Sequence, residues 1–271
     1  MSGRLVVCPT PIGNLEDVTL RVLAALREAD VIACEDTRHT RTLLERYGVD
    51  APTISYHEHN ERERSAELVR RMRAGEVVAL VSDAGMPLVS DPGFVLVREC
   101  VAAGLEVVVL PGPSAALAAL VASALPADRW RFAGFLPRRR GELERLLAGT
   151  GETLVAFESP RRLAASLAVL AQVDPDRPVA VCRELTKAHE EVVRGRAGEL
   201  AARYAEQAPR GEVALVIGGA PPQPAGGDGE ALEAVRRLVE AGARPRAAAK
   251  VVAGLTGASA NALYREVSAG G

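Results

Sequence analysis

The sequence predicts an α/β protein made of two α/β domains and a small C-terminal helical segment, and three observations carry that prediction. Apolar runs of four to eight residues alternate with segments of helical period along most of the chain. Two of the runs, 77–81 and 107–110, are near-continuous Val and Leu, as expected for strands buried on both faces of a parallel sheet. The alternation then breaks at Pro221-Pro222-Gln223-Pro224-Ala225-Gly226-Gly227-Asp228-Gly229, a flexible linker by composition.

In chain order, residues 5–8 read as a strand followed by the loop Pro9-Thr10-Pro11-Ile12-Gly13-Asn14. Residues 19–30 read as a helix with Leu20, Leu23 and Leu26 on one side. Val31–Cys34 is the second strand, and a helix over 40–47 stops at Gly48. A third strand is expected over 53–57 and a charged helix over 61–74, closed by Gly75. The strands 77–81 and 107–110 enclose a helix over 94–103, stopped by Gly104. A first domain thus spans 1–126. In the second, 127–219, residues 131–136, 154–157, 179–182 and 213–217 read as strands, with helices after Gly141, Pro160 and Ala197. Residues 191–194, stopped by Gly195, add a short edge-like strand. After the linker, 220–229, the tail over 230–271 carries helical segments at 230–240, 245–255 and 259–267. Its glycine-bearing turns resemble a helix-turn-helix, and a small helical cap has the same pattern.

Composition sets the bounds. The 271 residues suffice for two modest domains, and 48% hydrophobic with 25% charged residues is ordinary for a globular protein. Aromatics are only 3%, so the cores must be built from Val, Leu and Ala. No apolar run nears the ~20 residues of a membrane span. Met1-Ser2-Gly3-Arg4 leads into a strand-like run, not a signal peptide. Cys8, Cys34, Cys100 and Cys182 are far apart and form no C-x-x-C pair, which suits reduced core thiols in a cytoplasmic protein. With a net charge of −2, nucleic-acid binding requires local patches. Arg138-Arg139-Arg140, Arg161-Arg162 and the tail cations Arg244, Arg246 and Lys250 are candidates, though each alone also reads as a solvated helix end.

The chemistry concentrates where strands end. The stretch 81–93, VSDAGMPLVSDPG, follows a buried strand and is longer than the two to six residues a plain connection needs. In an open α/β sheet that position faces a ligand. Leu110-Pro111-Gly112-Pro113-Ser114-Ala115 is a second such loop, with Ser114 placed to cap the next helix. A hydrolase elbow needs glycine where Ala116 stands, and no later histidine sits in an obvious triad setting. Dinucleotide binding needs three glycines where the first loop has only Gly13. His57 and His59 flank Glu58, but no third metal ligand is recognisable. In Glu35-Asp36-Thr37-Arg38-His39-Thr40, Asp36 or Thr37 can cap a helix. That role leaves Glu35, Arg38 and His39 unexplained; Arg38 offers a fork for an anion, and His39 can carry a proton.

Together the segments TPIGNLEDVTLR, ACEDTRHT, HEHNE, VSDAGMPLVSDPG, LPGPSA, GFLP, FESPRRL and RELTK resemble the ribosomal RNA small subunit methyltransferase I group, of the tetrapyrrole-methylase-like methyltransferase family. The motifs cover nearly all of residues 5–219 in the family's order, and the tail is similar to the family's C-terminal helical segment. The resemblance implies tetrapyrrole-methylase-type domains with S-adenosyl-L-methionine held in the cleft between them. It implies 2′-O-methylation of a cytidine ribose in the decoding region of small-subunit ribosomal RNA, by a homodimer. Carried over by motif, the cofactor contacts fall on Pro11, Ser82, Asp83, Gly85, Ser114 and Ala115, with Phe157, Glu158 and Ala214 as wall residues. Met86 departs from the family's usual threonine, which removes a hydroxyl contact there. Glu35, Asp36, Arg38 and His39 are the candidates for positioning or deprotonating the ribose hydroxyl. His57, Asn60 and Glu158 stand behind them, and Arg162, Arg183 and Lys187 suit phosphate contacts. Each of these could equally be a structural residue. A tetrapyrrole C-methyltransferase, a diphthamide-type protein methyltransferase and a non-enzymatic RNA-binding module are the alternatives; the last predicts no affinity for the cofactor.

Overall fold

The strand runs of the N-terminal half assemble into one parallel sheet: β1 (Arg4–Val7), β2 (Val31–Cys34), β3 (Thr53–Ser55), β4 (Val77–Leu80) and β5 (Glu106–Val109), in the order β3-β2-β4-β1-β5. The computed structural model describes residues 3–149, 151–206, 209–220 and 228–269, so residues 221–227 of the expected linker lie outside the described residues. Because successive side chains point to opposite faces, each strand feeds two core layers. Val6, Ile32 and Ala79 pack with Val22 and Leu26 of α1 (Leu20–Glu28) and Leu43 and Leu44 of α2 (Thr37–Arg46). Leu5, Val7 and Leu80 pack on the other face with Leu68 and Met72 of α3 (Glu61–Arg73) and Leu96 of α4 (Phe94–Ala102). Each such fully buried aliphatic side chain contributes about 1.5–3 kcal/mol.

Two boundaries differ from the sequence reading for local reasons. Helix α2 begins at Thr37, not residue 40, because the Asp36 carboxylate accepts the Arg38 N–H at 2.8 Å and caps the helix there. Strand β3 stops at Ser55 instead of reaching His57. Asn60 folds back to accept the His57 N–H at 2.9 Å and donate to the Ser55 carbonyl at 3.1 Å, which turns the chain.

The second sheet is mixed. It comprises β6 (Trp130–Phe135), β7 (Thr153–Glu158), β8 (Pro178–Arg183), β9 (Glu191–Arg196) and β10 (Val213–Ile217), in the order β6-β7-β10-β8-β9. Only β6 and β7 are parallel; β10 runs antiparallel to both its neighbours, and β9 antiparallel to β8. Gly195 does not end β9, since it pairs with Val179 and the ladder continues to Arg196. Helices α6 (Arg140–Ala148), α7 (Leu163–Val173) and α8 (Ala197–Glu206) cover one face. The other face receives α5 (Ala115–Ser123), whose Ala116, Ala119 and Leu120 pack on Val155, Ala180, Cys182, Ala214 and Val216. Although α5 follows the last strand of the first sheet, it thereby bolts the two sheets together. Arg194 completes the joint by donating to the carbonyls of Ala122 and Ser123 at the C-terminal end of α5.

Both sheets belong to one compact unit, residues 1–218. A separate unit, 219–271, contains α9 (Asp228–Glu240), α10 (Pro245–Thr256) and α11 (Ala260–Ala269) around Ala231, Val235, Ala249, Val252 and Leu263. Proline opens α10 and Gly257, at φ 74°, closes it. All four cysteines are free and buried. No helix among the described residues is long and apolar enough to cross a membrane.

Candidate functional site

Topology singles out the loop after β4. The neighbours of β4, β1 and β2, lead into α1 and α2 on one face, whereas β4 leads into α4 on the other. Connections that diverge this way leave a crevice beyond the carboxyl ends of the strands. The loop 81–93 fills it under constraint. Thr10 and Gly85 exchange backbone hydrogen bonds at 2.8 and 3.0 Å, and the Thr10 hydroxyl donates to the Ser82 carbonyl at 2.9 Å. The Ser82 hydroxyl donates to the Gly85 carbonyl at 3.2 Å, and the Asp83 carboxylate accepts the Asp36 N–H at 3.1 Å. Gly85 lies at φ 82°, and two residues with side chains, Leu88 and Ser90, are also left-handed at φ 73° and 69°. Such residues cost of order 1–3 kcal/mol each and persist where the surroundings dictate the conformation.

The second sheet contributes a matching loop after β8, with Glu184 and Thr186 left-handed at φ 51° and 67°. It is stitched to the first loop of the chain: the Asn14 N–H donates to the Thr186 hydroxyl at 3.0 Å. A Cβ on Gly13 would lie 2.5 Å from Lys187 Cγ and 2.9 Å from the Leu185 carbonyl, so only glycine allows this approach.

Between these loops lies a cavity of about 320 Å³. Its apolar walls include Ile12, Met86, Ala115, Phe157, Leu185 and Ala214, and Phe157 stacks edge-to-face on Phe132 and Phe135 at centroid distances of 5.0 and 5.7 Å. Of the residues expected at a cofactor, Gly85, Ser114, Ala115, Phe157, Glu158 and Ala214 line this cavity. Pro11, Ser82 and Asp83 do not, and the polar groups of the last two are spent bracing the loop wall. The Glu158 carboxylate, though on the wall, is held by Ser166 Oγ, the Ser159 N–H at 2.7 Å and the Arg162 guanidinium at 3.3 Å.

The expected polar cluster divides in two. Asp36 is committed to the α2 cap and to Arg38, whose guanidinium donates to it at 3.2 and 2.9 Å; the pair holds the Asp36 carboxyl down at about 2. Arg38 and His39 are exposed. Glu35 is half-buried instead, its carboxyl raised by burial and by the charge of Asp83, then Glu58, with His57 opposing. Asp91, on the cavity wall, is pushed up to about 6 by burial and by the Glu35 charge, against a hydrogen bond from Ser82. The residue-level reading missed Asp91, although its signal was present: a second Ser-Asp pair closing a loop that opens on the first. His57 and Asn60 pack together, with 3.4 Å between His57 Nε2 and Asn60 Nδ2. His57 Nδ1 is buried without a hydrogen-bond partner among the described residues.

The cations expected at phosphates are all engaged. Arg162 donates to the carbonyls of Leu136 and Pro137, besides pairing with Glu158. Arg183 pairs with Glu191 at 3.2 Å, and Lys187 with Glu184 and Glu212 at 2.9 Å each.

Three comparisons bear on this site. Residues 4–201 match the family described as Tetrapyrrole (Corrin/Porphyrin) Methylases. A Mesorhizobium japonicum protein called Ribosomal RNA small subunit methyltransferase I is 47% identical over 97% of this chain and 90% of its own length. The Thermotoga maritima protein of the same name is 43% identical and is covered to 99%, over only 80% of this chain. Among solved structures, the uroporphyrin-III C-methyltransferase of Thermus thermophilus superposes with a TM-score of 0.58 at 24% identity, covering 80% of this chain and 94% of that one. That likeness bears on the fold alone.

Proposed function

This chain belongs to the tetrapyrrole methylase family, and within it to the ribosomal RNA small subunit methyltransferase I group; on that premise we propose that it transfers a methyl group from S-adenosyl-L-methionine to the 2′-oxygen of a cytidine ribose in the decoding region of small-subunit ribosomal RNA. The observation that carries the reading is the position of Asp91, an acid of raised pKa on the wall of the cavity that both sheets enclose.

The cavity fits the cofactor. Its volume of about 320 Å³ suits a small molecule, and its apolar lining is interrupted by few polar groups. Gly85, Ser114, Ala115, Phe157 and Ala214 would hold the cofactor directly. Pro11, Ser82 and Asp83 would act by fixing the loops behind them, and Glu158 by fixing the start of α7. When bound, the cofactor supplies a methyl group already activated on a sulfonium, so alignment accounts for much of the rate.

The remaining task is to take the proton of a weakly acidic hydroxyl. A carboxyl at about 6 is largely ionised at neutral pH, yet is a much stronger base than an ordinary aspartate. Asp91 is therefore the proton acceptor in this reading. Glu35 raises its basicity by charge, and Asp83 braces the loop that carries it. Asp36, held at about 2, is too weak a base and serves as the cap of α2. Phe135 and Phe157 add apolar surface to the wall of the cavity.

We also propose that the protein works in the cytoplasm as a homodimer. Support for the dimer comes from Val109 on the edge strand β5, which is 58% exposed, and from Leu117 and Val121 on α5, at 51% and 81%.

The test is transfer of labelled methyl from S-adenosyl-L-methionine to small ribosomal subunits that lack the modification, followed by digestion to nucleosides. Label on a cytidine 2′-oxygen is the expected result. Label on a base would overturn the 2′-O assignment. Cofactor binding with no label on RNA would remove ribosomal RNA as the substrate.

A further inference from the structure

Five arginines gather at the edge of the second sheet where the parallel pair β6 and β7 ends. Arg138, Arg139 and Arg140 lead from β6 into α6, while Arg161 and Arg162 lead from β7 into α7. Arg162 ties the two turns together by donating to the Leu136 and Pro137 carbonyls at 3.2 and 2.7 Å. A hollow of about 330 Å³ lies between the helices, with Arg138, Arg140 and Arg162 on its walls and Leu143 and Val169 beneath. The patch adjoins the cavity mouth: Ser159 and Pro160, directly before Arg161, line the cavity, and so does Phe135.

The charge is not balanced locally. Arg162 is neutralised by the buried Glu158. Arg139 pairs with Glu142, and Arg140 pairs with Glu144 and donates to the Gln172 side chain; these exposed pairs are worth little and can yield to a stronger anion. Arg138 and Arg161 are exposed, with no ion pair or side-chain hydrogen bond among the described residues. Neither α6 nor α7 has a side-chain cap at its N-terminus, so their dipoles add to the positive potential.

We infer that this patch holds the phosphate backbone of the RNA strand as it enters the cavity, with Arg138 and Arg161 making the principal contacts. The identity of the anion rests on the reaction proposed above; the site itself rests on the arginines. A guanidinium presents a planar fork that matches a phosphate, and such contacts position a strand without reading its sequence. The charge thus lies on residues other than Arg162, Arg183 and Lys187, whose donors are already committed inside the protein.

The experiment is the salt dependence of binding between the full-length protein and transcribed small-subunit ribosomal RNA. It compares wild type, the double variant Arg138→Ala/Arg161→Ala and the control Arg73→Ala; Arg73 ends α3 just before the amino end of β4, whereas the cavity loops leave the carboxyl ends of the strands. Each lost phosphate contact lowers the slope of log affinity against log salt by roughly 0.7–0.9. The double variant is expected to lose roughly twice that, with unchanged S-adenosyl-L-methionine binding in equilibrium dialysis, while the control keeps the wild-type slope. A double-variant slope equal to wild type overturns the inference and leaves the proposed reaction standing. A reduced slope in a protein that puts no label on cytidine 2′-oxygen sustains the patch and sinks the reaction. Wild-type binding with no salt dependence overturns the patch outright.

Discussion

The two sheets of the main unit meet at one cavity, and the charged clusters beside it differ in sign: acids on the loops of the first sheet, arginines next to the mouth on the second. At its carboxyl edge the all-parallel first sheet carries Glu35, Asp83 and Asp91, close enough for Glu35 and Asp83 to act on Asp91. The mixed second sheet carries Arg138, Arg139, Arg140, Arg161 and Arg162 at the ends of its only parallel pair. The difference follows from topology. Parallel strands deliver loops to a single edge, so a sheet that is parallel throughout can bury an acid beside others and raise its pKa. In the second sheet the one parallel pair delivers two adjacent loops, and these carry the basic patch. In the proposed reaction the two halves divide the work: the first would take up the proton, and the second would hold the RNA phosphate.

The most severe break in this division is Asp91→Asn. With the acceptor gone, kcat is expected to fall by about 10²–10⁴-fold, measured in single-turnover methyl transfer, while cofactor affinity is retained. The same variant should be more stable than wild type above pH 6. The Asp91 carboxyl stands at about 6 when folded against an ordinary 3.8. The folded protein therefore holds a proton that the unfolded chain has released, and its stability falls as pH rises through that window. The neutral amide escapes this loss, by roughly 1–3 kcal/mol after allowance for solvent screening. Urea unfolding at pH 5 and pH 8 reads the difference; a variant that is both slow and less stable at pH 8 would make Asp91 structural.

The Arg162–Glu158 pair tests the other half. Removing one partner of a buried pair costs about 3–5 kcal/mol, so Arg162→Ala should show its largest effect in urea unfolding and a small one in the salt dependence of RNA binding. The reverse outcome would put Arg162 on the RNA. A smaller effect is expected from Glu35→Gln. Removing the Glu35 charge lowers the Asp91 pKa, so the acid limb of the kcat–pH profile should move to lower pH. An unmoved limb would separate the two acids. The mildest change is Asp36→Asn, which keeps a capping oxygen; kcat and its pH profile are expected to stay at wild-type values, and a large fall would return Asp36 to the chemistry.

Much of the fold was legible because burial on two faces leaves a plain mark: the runs at 31–34, 77–81 and 213–217 became β2, β4 and β10 with little shift at their ends. The continuation of β9 through Gly195 was not, since glycine stops a strand only where its neighbour stops pairing, and β8 extends alongside. The loops that form the cavity were legible from their turn residues. Which polar groups point into it was not, because Ser82 and Asp83 look no different in sequence from Asp91 until tertiary partners claim the first two. Arg162, Arg183 and Lys187 follow the same rule: a cation's availability depends on acids that only the fold brings near, such as Glu191 and Glu212. About a fifth of this chain, an extent comparable to the separate helical unit, has no counterpart in the Thermotoga maritima relative.

The buried cysteines give the molecule a built-in set of clocks. Burial pushes the thiol of Cys8 up to about 12 and those of Cys100 and Cys182 to about 11, and it raises Cys34 as well. A thiol-directed reagent needs the thiolate, so each cysteine is silent until the layer around it opens. Cys8 and Cys34 lie in the layer under α1 and α2, Cys100 on the buried face of α4 in the layer it shares with α3, and Cys182 on β8 under α5. The rates at which the unmodified protein is alkylated therefore time the opening of three separate layers, with no label engineered into the chain.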